Sequence, residues 1–297
     1  MYKQDHQRLL NILREADQPL APIPTGETEQ LHLLEGIRAV LFDLYGTLFL
    51  SSAGDLGLHE DQTADRVFAN ALEAADLRPL RGTSIDWLEA WNLLIRDEHQ
   101  RRREEGEAFP EVEIREIWYR FGQAFCDAPP LKTDDPAWSI AALTYETGVN
   151  QVCPAPGVLS LLSTLRQHNM LLGIVSNAQF YTPLLFEAYL GAPYPSLGFR
   201  PDLCVFSFQL RSAKPSPAMF AGVLKQLIEK DGIQPHEVAY VGNDMLNDIW
   251  TASQAGCRTI LFAGDQRSLR KRQDKPACAN LQPDAVITEL MHVLECL

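Results

Sequence analysis

Residues 38–47 read RAVLFDLYGT. Ala39 to Phe42 is an unbroken apolar run, the texture of a strand covered on both faces. It stops at a carboxylate, Asp43, with Tyr45, Gly46 and Thr47 close behind. The pattern recurs downstream. Apolar runs LLGIV (171–175), LCVFSF (203–208), EVAYVG (237–242), RTILFAG (258–264) and AVI (285–287) alternate with stretches of helical period at 155–169, 180–191, 215–232, 245–256 and 288–297. Such alternation predicts a parallel sheet with helices on both faces. The fold class read from it is α/β, a Rossmann-like doubly wound sheet.

Two segments stand outside the alternation. Residues 58–150 carry four stretches of helical period and no convincing strand, so they read as a helical insertion large enough for its own small core. Asp134 or Asp135 is placed to N-cap the last of the four. Residues 1–37 form a helical extension: Leu9, Leu10, Ile12 and Leu13 share one helix face, QPLAPIPTGE breaks it, and TEQLHLLEG (28–36) reads as a second short helix. The extension is expected to pack on the main domain, with a docking or oligomerisation arm as the alternative. The domain reading is thus 1–37, a core of 38–57 with 151–297, and the helical insertion 58–150.

Composition narrows the partners. The chain has 297 residues, with 26 Lys and Arg against 39 Asp and Glu, a formal net charge of −13. A nucleic-acid binder usually shows the opposite balance. No apolar run reaches the roughly 18 residues of a membrane span. The charged N-terminus has no secretory h-region, so a cytoplasmic location is expected. Six cysteines lie far apart in sequence with no CxxC pair, which points to reduced thiols rather than a zinc site or disulfide frame.

In an open parallel sheet, ligands sit beyond the carboxyl ends of the strands. The residues just past each apolar run are therefore informative: Asp43 after the first, Ser176 and Asn177 after the second, Lys214 after the third, Asn243 and Asp244 after the fourth with Asp248 one turn on. A carboxylate can attack an electrophile and form a covalent ester or acyl phosphate. A lysine can keep that carboxylate ionised and neutralise an anion. Hydroxyls and backbone N–H groups beyond a strand bind anionic oxygens. Asp43, Asp244 and Asp248 supply the oxygen donors that Mg²⁺ prefers. Gly46 allows a tight turn and close approach to a substrate.

These pieces, FDLYGTL (42–48), IVSN (174–177), AKPSP (213–217) and YVGNDMLND (240–248), resemble the haloacid dehalogenase superfamily of hydrolases. The likeness spans about residues 38–297, and the helical insertion resembles that family's helical cap. It implies Asp43 as nucleophile, Thr47 as its supporting hydroxyl, Ser176 as an oxyanion binder, Lys214 as the charge-balancing lysine and Asp248 as the acid that orients the lysine or supports a metal. It also implies a small anionic substrate and, for phosphatases, Mg²⁺.

Two positions depart from the phosphatase pattern. Tyr45 stands where those enzymes place a general-acid aspartate, and Asn243 where they place a metal-binding one. A phenol with an ordinary pKa of about 10 is a poor acid near neutrality. Tyrosine at that position is what the metal-independent 2-haloacid dehalogenases carry, whose halide leaves without a proton. Against that reading, Phe220 replaces their usual tyrosine, and no arginine for the substrate carboxylate is evident among Arg66, Arg78 and Arg81. The loop after RTILF offers Arg267, with Arg270, Lys271 and Arg272 beside it, for an anion. Three readings result, in this order: an aspartyl phosphatase of a small metabolite, a dehalogenase-type hydrolase and a non-catalytic scaffold. Substrate choice is expected in the cap, where Trp87, Trp91, Trp118 and Tyr119 are candidates to line the pocket or to form the cap's own core.

Overall fold

The computed structural model describes residues 3–52, 63–80, 86–127 and 131–297. Arg81 and the 57/58 boundary of the expected cap lie outside the described residues. The main sheet has six parallel strands in the order β5-β4-β1-β6-β7-β8. They are β1 (Ala39–Phe42), β4 (Leu171–Ser176), β5 (Phe199–Phe206), β6 (Val238–Gly242), β7 (Arg258–Phe262) and β8 (Ala285–Ile287). Strand order reverses at β1, with β4 on one side and β6 on the other, so the loops after β1 and β6 open away from each other at their carboxyl ends. The expected Rossmann-like sheet is thus present, and every residue of β1 and β6 is buried.

Helices α6 (Val158–Gln167), α7 (Leu184–Leu190), the four-residue α8 (Ser207–Leu210), α9 (Ala218–Gln226) and α10 (Thr251–Gln254) connect these strands. The stretch 245–256, read as one helix, begins as a π-turn at Met245–Trp250 before α10. The closing segment is a 3-10 helix, Leu290–Glu295. A small antiparallel pair, β2 (Phe49–Ser51) with β3 (Val152–Pro154), was not expected and joins the two ends of the insertion. Three residues per strand are too few to leave a period in the sequence.

Between β2 and β3 the described residues form four helices: α2 (Thr63–Ala74), α3 (Trp87–Glu104), α4 (Ile114–Phe125) and α5 (Pro136–Val149). Asp135 caps α5 by accepting from Ala137 N, with Pro136 at the first turn. Phe68, Trp91, Trp118, Phe121 and Tyr145 meet at ring-centroid distances of 4.5–6.0 Å, an aromatic core for the insertion. Trp118 is wholly inside that core. Among the described residues no helix is long and apolar enough to cross a membrane.

The N-terminal extension starts with α1 (Lys3–Glu15), whose Leu9, Leu10 and Leu13 are buried where α1 packs on α5 and α7. Its apolar face is thus covered by the chain itself. The second helix expected over 28–36 is absent. Gln30 instead exchanges backbone hydrogen bonds with Val286 (2.9 and 3.0 Å), which gives the edge strand β8 a partner. Glu29 fixes the strap by accepting from Thr288 N (2.8 Å) and pairing with His292 (2.7 Å). An unpaired sheet edge outweighed the local helical spacing of Leu31 and Leu34.

Candidate active site

Asp43 comes directly after β1, and its own N–H donates to Val241 O of β6 at 2.9 Å, which anchors it at the reversal of strand order. Lys214, from the loop after α8, reaches the same point from the other side. Its ammonium donates to Asp43 Oδ1 (2.8 Å), Asp248 Oδ1 (2.5 Å) and Tyr240 Oη (2.9 Å), and the lysine side chain is 2% exposed. All three ammonium protons are therefore used. Burial alone would lower the pKa of the lysine. The carboxylates of Asp248 and Asp43 outweigh that and hold its pKa above the ordinary value.

The supports of this triad are in place. Asp248 Oδ2 accepts from Asn243 N and Asp244 N, each at 2.9 Å. A Cβ on Gly242 would lie 2.4 Å from Asp248 Cγ, so the strand must end in glycine for the acid to sit there. Tyr240 takes the lysine from below and donates to Val175 O at 2.7 Å. Asn177 clasps the lysine backbone, accepting from Lys214 N at 2.7 Å. With Lys214 on Oδ1, Asp43 Oδ2 carries no hydrogen bond from any described residue, and Asp43 lines a cavity of about 510 Å³.

That cavity lies between the sheet edge and the insertion. Asp43, Tyr45, Asn177, Lys214, Asp244 and Asp248 line one wall. Trp91, His99, Glu111, Tyr145 and Glu146 line the other, with Gln179 and Tyr181 bridging from the core. Gln179 pins the insertion by donating to Val112 O (2.9 Å) and accepting from Ile114 N (3.0 Å).

Several expected residues are not at this wall in the expected way. Thr47 is fully buried and donates to Asn243 Oδ1 (3.1 Å), so it braces the fourth motif rather than the nucleophile. Ser176 is fully buried at the end of β4 and donates to Asn177 O (3.3 Å), so its hydroxyl is turned from the cavity that Asn177 lines. Gly46 has φ +79, and an added Cβ would meet Ser268 Cβ at 2.6 Å. Its freedom serves the turn and this packing rather than substrate contact. Arg267 pairs with Asp265 and donates to Ala21 O of the strap, and it is not among the residues that line the cavity. Of its neighbours, Lys271 pairs with Glu27, Arg272 with Asp244, and Arg270 alone lines the cavity. Arg66 and Arg78 do not line it either.

The carboxylates expected to hold Mg²⁺ do not form a ligand set. Arg272 grips Asp244 through two nitrogens (2.6 and 3.0 Å), and the same carboxylate caps the next turn through Leu246 N and Asn247 N. Asp248 has both oxygens occupied by Lys214 and backbone amides. The Asn243 amide is spent on Thr47 and on Ser268 O. Of these three carboxylates Asp43 alone keeps an oxygen without a hydrogen bond from a described residue, and no cluster of three metal-ligating side chains occurs among the described residues.

Tyr45 donates or accepts at Thr182 Oγ1 (3.0 Å), and burial, with the charge of Glu146, pushes its phenol well above the ordinary value. It holds its proton at neutral pH. Four residues of the site, Tyr240, Gln179, Glu111 and Glu146, carry no signal in the sequence. Tyr240 reads as one more apolar strand residue, and Glu111 lies between two helices in no periodic position.

The chain belongs to the haloacid dehalogenase-like hydrolases: the model of that family matches residues 37–256. It is similar to a phosphoglycolate phosphatase from Photorhabdus laumondii, 29% identical over 236 residues that cover 77% of this chain and 81% of that protein. The fold is shared with a 2-haloacid dehalogenase from Pseudomonas syringae (TM-score 0.53, 21% identity, 88% of this chain and 97% of that one). It is shared too with a HAD phosphatase from Thermococcus onnurineus (TM-score 0.50, 19% identity, 86% and 96%). By family the chain is a hydrolase.

Proposed function

We propose that the chain hydrolyses a bond from carbon to a leaving group that departs as a stable anion, through an ester on Asp43 and without a metal. The observation that carries this reading is the occupancy of Asp244 by Arg272, next to a phenol at Tyr45 that keeps its proton. Among the described residues no cluster of three metal-ligating side chains occurs, and a phenol that keeps its proton is a poor donor to a leaving group near neutrality.

In this reading Asp43 Oδ2 attacks the substrate carbon as the carbon–halogen bond breaks, and halide leaves with the bonding pair. Lys214 holds the other carboxylate oxygen and fixes the attacking one in line. Water then adds to the acyl carbon of the ester. The acyl C–O bond breaks, the product leaves as an alcohol, and one proton is released to solvent. Asp43 recovers a carboxylate with one oxygen from water. The helices of residues 58–150 act as the cap that excludes bulk water from these steps.

A second reading, hydrolysis of a phosphomonoester, draws on the likeness to the phosphoglycolate phosphatase. It requires Asp244 to leave Arg272 before a cation can bind. One experiment separates the two. The protein is screened on small organohalides (neutral, anionic and amino-bearing) and on phosphate esters including phosphoglycolate, with Mg²⁺ or with EDTA. The active pair is then run for a single turnover in H₂¹⁸O. Halide release that ignores EDTA, with ¹⁸O in the Asp43 carboxylate, is expected. Phosphate release that needs Mg²⁺, with ¹⁸O in the phosphate and none in Asp43, overturns the proposal.

A further inference from the structure

Glu111, a carboxylate on the cavity wall, has no counter-ion among the described residues. It accepts from Ser207 Oγ (2.7 Å), Val112 N (2.8 Å) and Gln179 Nε2 (3.4 Å), all neutral donors. Arg211, whose charge reaches it weakly, is spent on Glu116 at 2.5 Å. A buried carboxylate without a cation is costly in its charged form. The fold nevertheless turns Glu111 toward the cavity that holds Asp43.

The walls around it are of one kind. Trp91 and Tyr145 line the cavity with ring centroids 5.9 Å apart, and Tyr181 joins them. Electron-rich ring faces attract cations, most strongly where water is excluded. Glu146 accepts from Tyr181 Oη at 2.9 Å, and the charges of Glu146 and Glu111 both act on that phenol, which places the two acids around one ring. Among the described residues, His99 is the one basic side chain that the insertion brings to this wall. Burial pushes its imidazole below the ordinary value, so it is neutral at pH 7.

We infer that the substrate carries a primary ammonium group, received by the carboxylate of Glu111 against the rings of Trp91, Tyr145 and Tyr181. An ammonium supplies both the missing counter-ion and donors for the Glu111 oxygens. The inference deepens the reading of Asp43 as nucleophile, and it replaces the small anion expected from the sequence with an amine. Glu111 is then a specificity residue: it binds the part of the substrate that does not react, as the core wall holds the part that does.

The test measures binding, so it does not depend on turnover. Propylammonium, butyrate and 1-propanol are titrated by calorimetry into the full chain and into Glu111→Gln and Glu111→Asp. Asp43→Asn is titrated alongside. The expected result is binding of propylammonium alone, weaker by at least about tenfold in Glu111→Gln and partly recovered in Glu111→Asp. Affinity in the parent should rise with pH as Glu111 ionises, and this pH dependence should vanish in Glu111→Gln. Circular dichroism establishes that the variants are folded. Where Glu111→Gln is not folded, loss of the pH dependence in Glu146→Gln alone overturns the assignment to Glu111, and its retention supports it. Failure of propylammonium to bind the parent, equal or better binding of butyrate, or a loss under tenfold in folded Glu111→Gln also overturns it. Absence of ¹⁸O in Asp43 with ammonium binding intact would instead refute the chemistry and leave this site standing.

Discussion

The two walls of the cavity handle charge in opposite ways. On the sheet side every acid meets a cation: Asp43 and Asp248 share Lys214, and Asp244 has Arg272. On the insertion side Glu111 meets only neutral donors. A wall whose charges are matched internally is preorganised for a reaction, since its dipoles need not move when charge develops. A wall with an unmatched acid is incomplete until something binds. The contrast separates the residues that do chemistry from those that choose the molecule.

The strongest blow to the sheet wall is Asp43→Asn. Turnover should fall by at least ~10⁴-fold, the scale of losing a covalent nucleophile, while thermal unfolding stays close to the parent because Lys214 keeps Asp248. Retained turnover in a rigorously purified variant would remove Asp43 from the mechanism. Next is Lys214→Met, which leaves two buried carboxylates without their cation. A loss of about 3–5 kcal/mol in urea unfolding is expected. Arg272→Met removes the cation that grips Asp244 and leaves that carboxylate to Leu246 N and Asn247 N. The expected cost is about 1–3 kcal/mol, and Mg²⁺, inert toward the parent, should raise the melting temperature of this variant. If Mg²⁺ stabilises the parent equally, the grip of Arg272 is not what keeps a cation out.

The smallest effect tests the other wall. Burial raises the Glu111 pKa above its ordinary value of 4.5. The folded state then favours the protonated acid. That contribution is fully present below about pH 4.5 and is lost as pH rises through the folded pKa. Glu111→Gln mimics the neutral form, so parent and variant should be equally stable at low pH. Above that the variant should become modestly the more stable. A gap of the opposite sign at pH 7 would mean that Glu111 has a cationic partner in the fold.

The same contrast explains what could be read in advance. Asp43, Lys214 and Asp248 were legible because each lies just past an apolar run, and the sheet's topology brings such positions to one edge. Their roles were less legible than their places. Thr47 and Ser176 belong to the right loops, yet their hydroxyls turn to Asn243 and to Asn177 O. The four cations after β7 look equivalent in the chain, but only the fold assigns Arg267 to Asp265 and Arg272 to Asp244. Glu111 left no signal, because one acid between two helices in a chain with 39 acidic residues has nothing to distinguish it. The strap at 28–36 is illegible in the sequence because the partner of Gln30, Val286, lies over 250 residues away, and local spacing carries no trace of such pairing.

That strap has a consequence for how the molecule comes into being. Leu9 and Leu13 leave the ribosome well before the surfaces that cover them, which belong to α5 and α7, and Gln30 well before the backbone of β8 that pairs with it. Contacts so distant along the chain form slowly, since a long loop must close before each is gained. The segment that carries these leucines therefore settles late, and it exposes a leucine-rich stripe to chaperones and to neighbouring chains until α5, α7 and β8 have followed it.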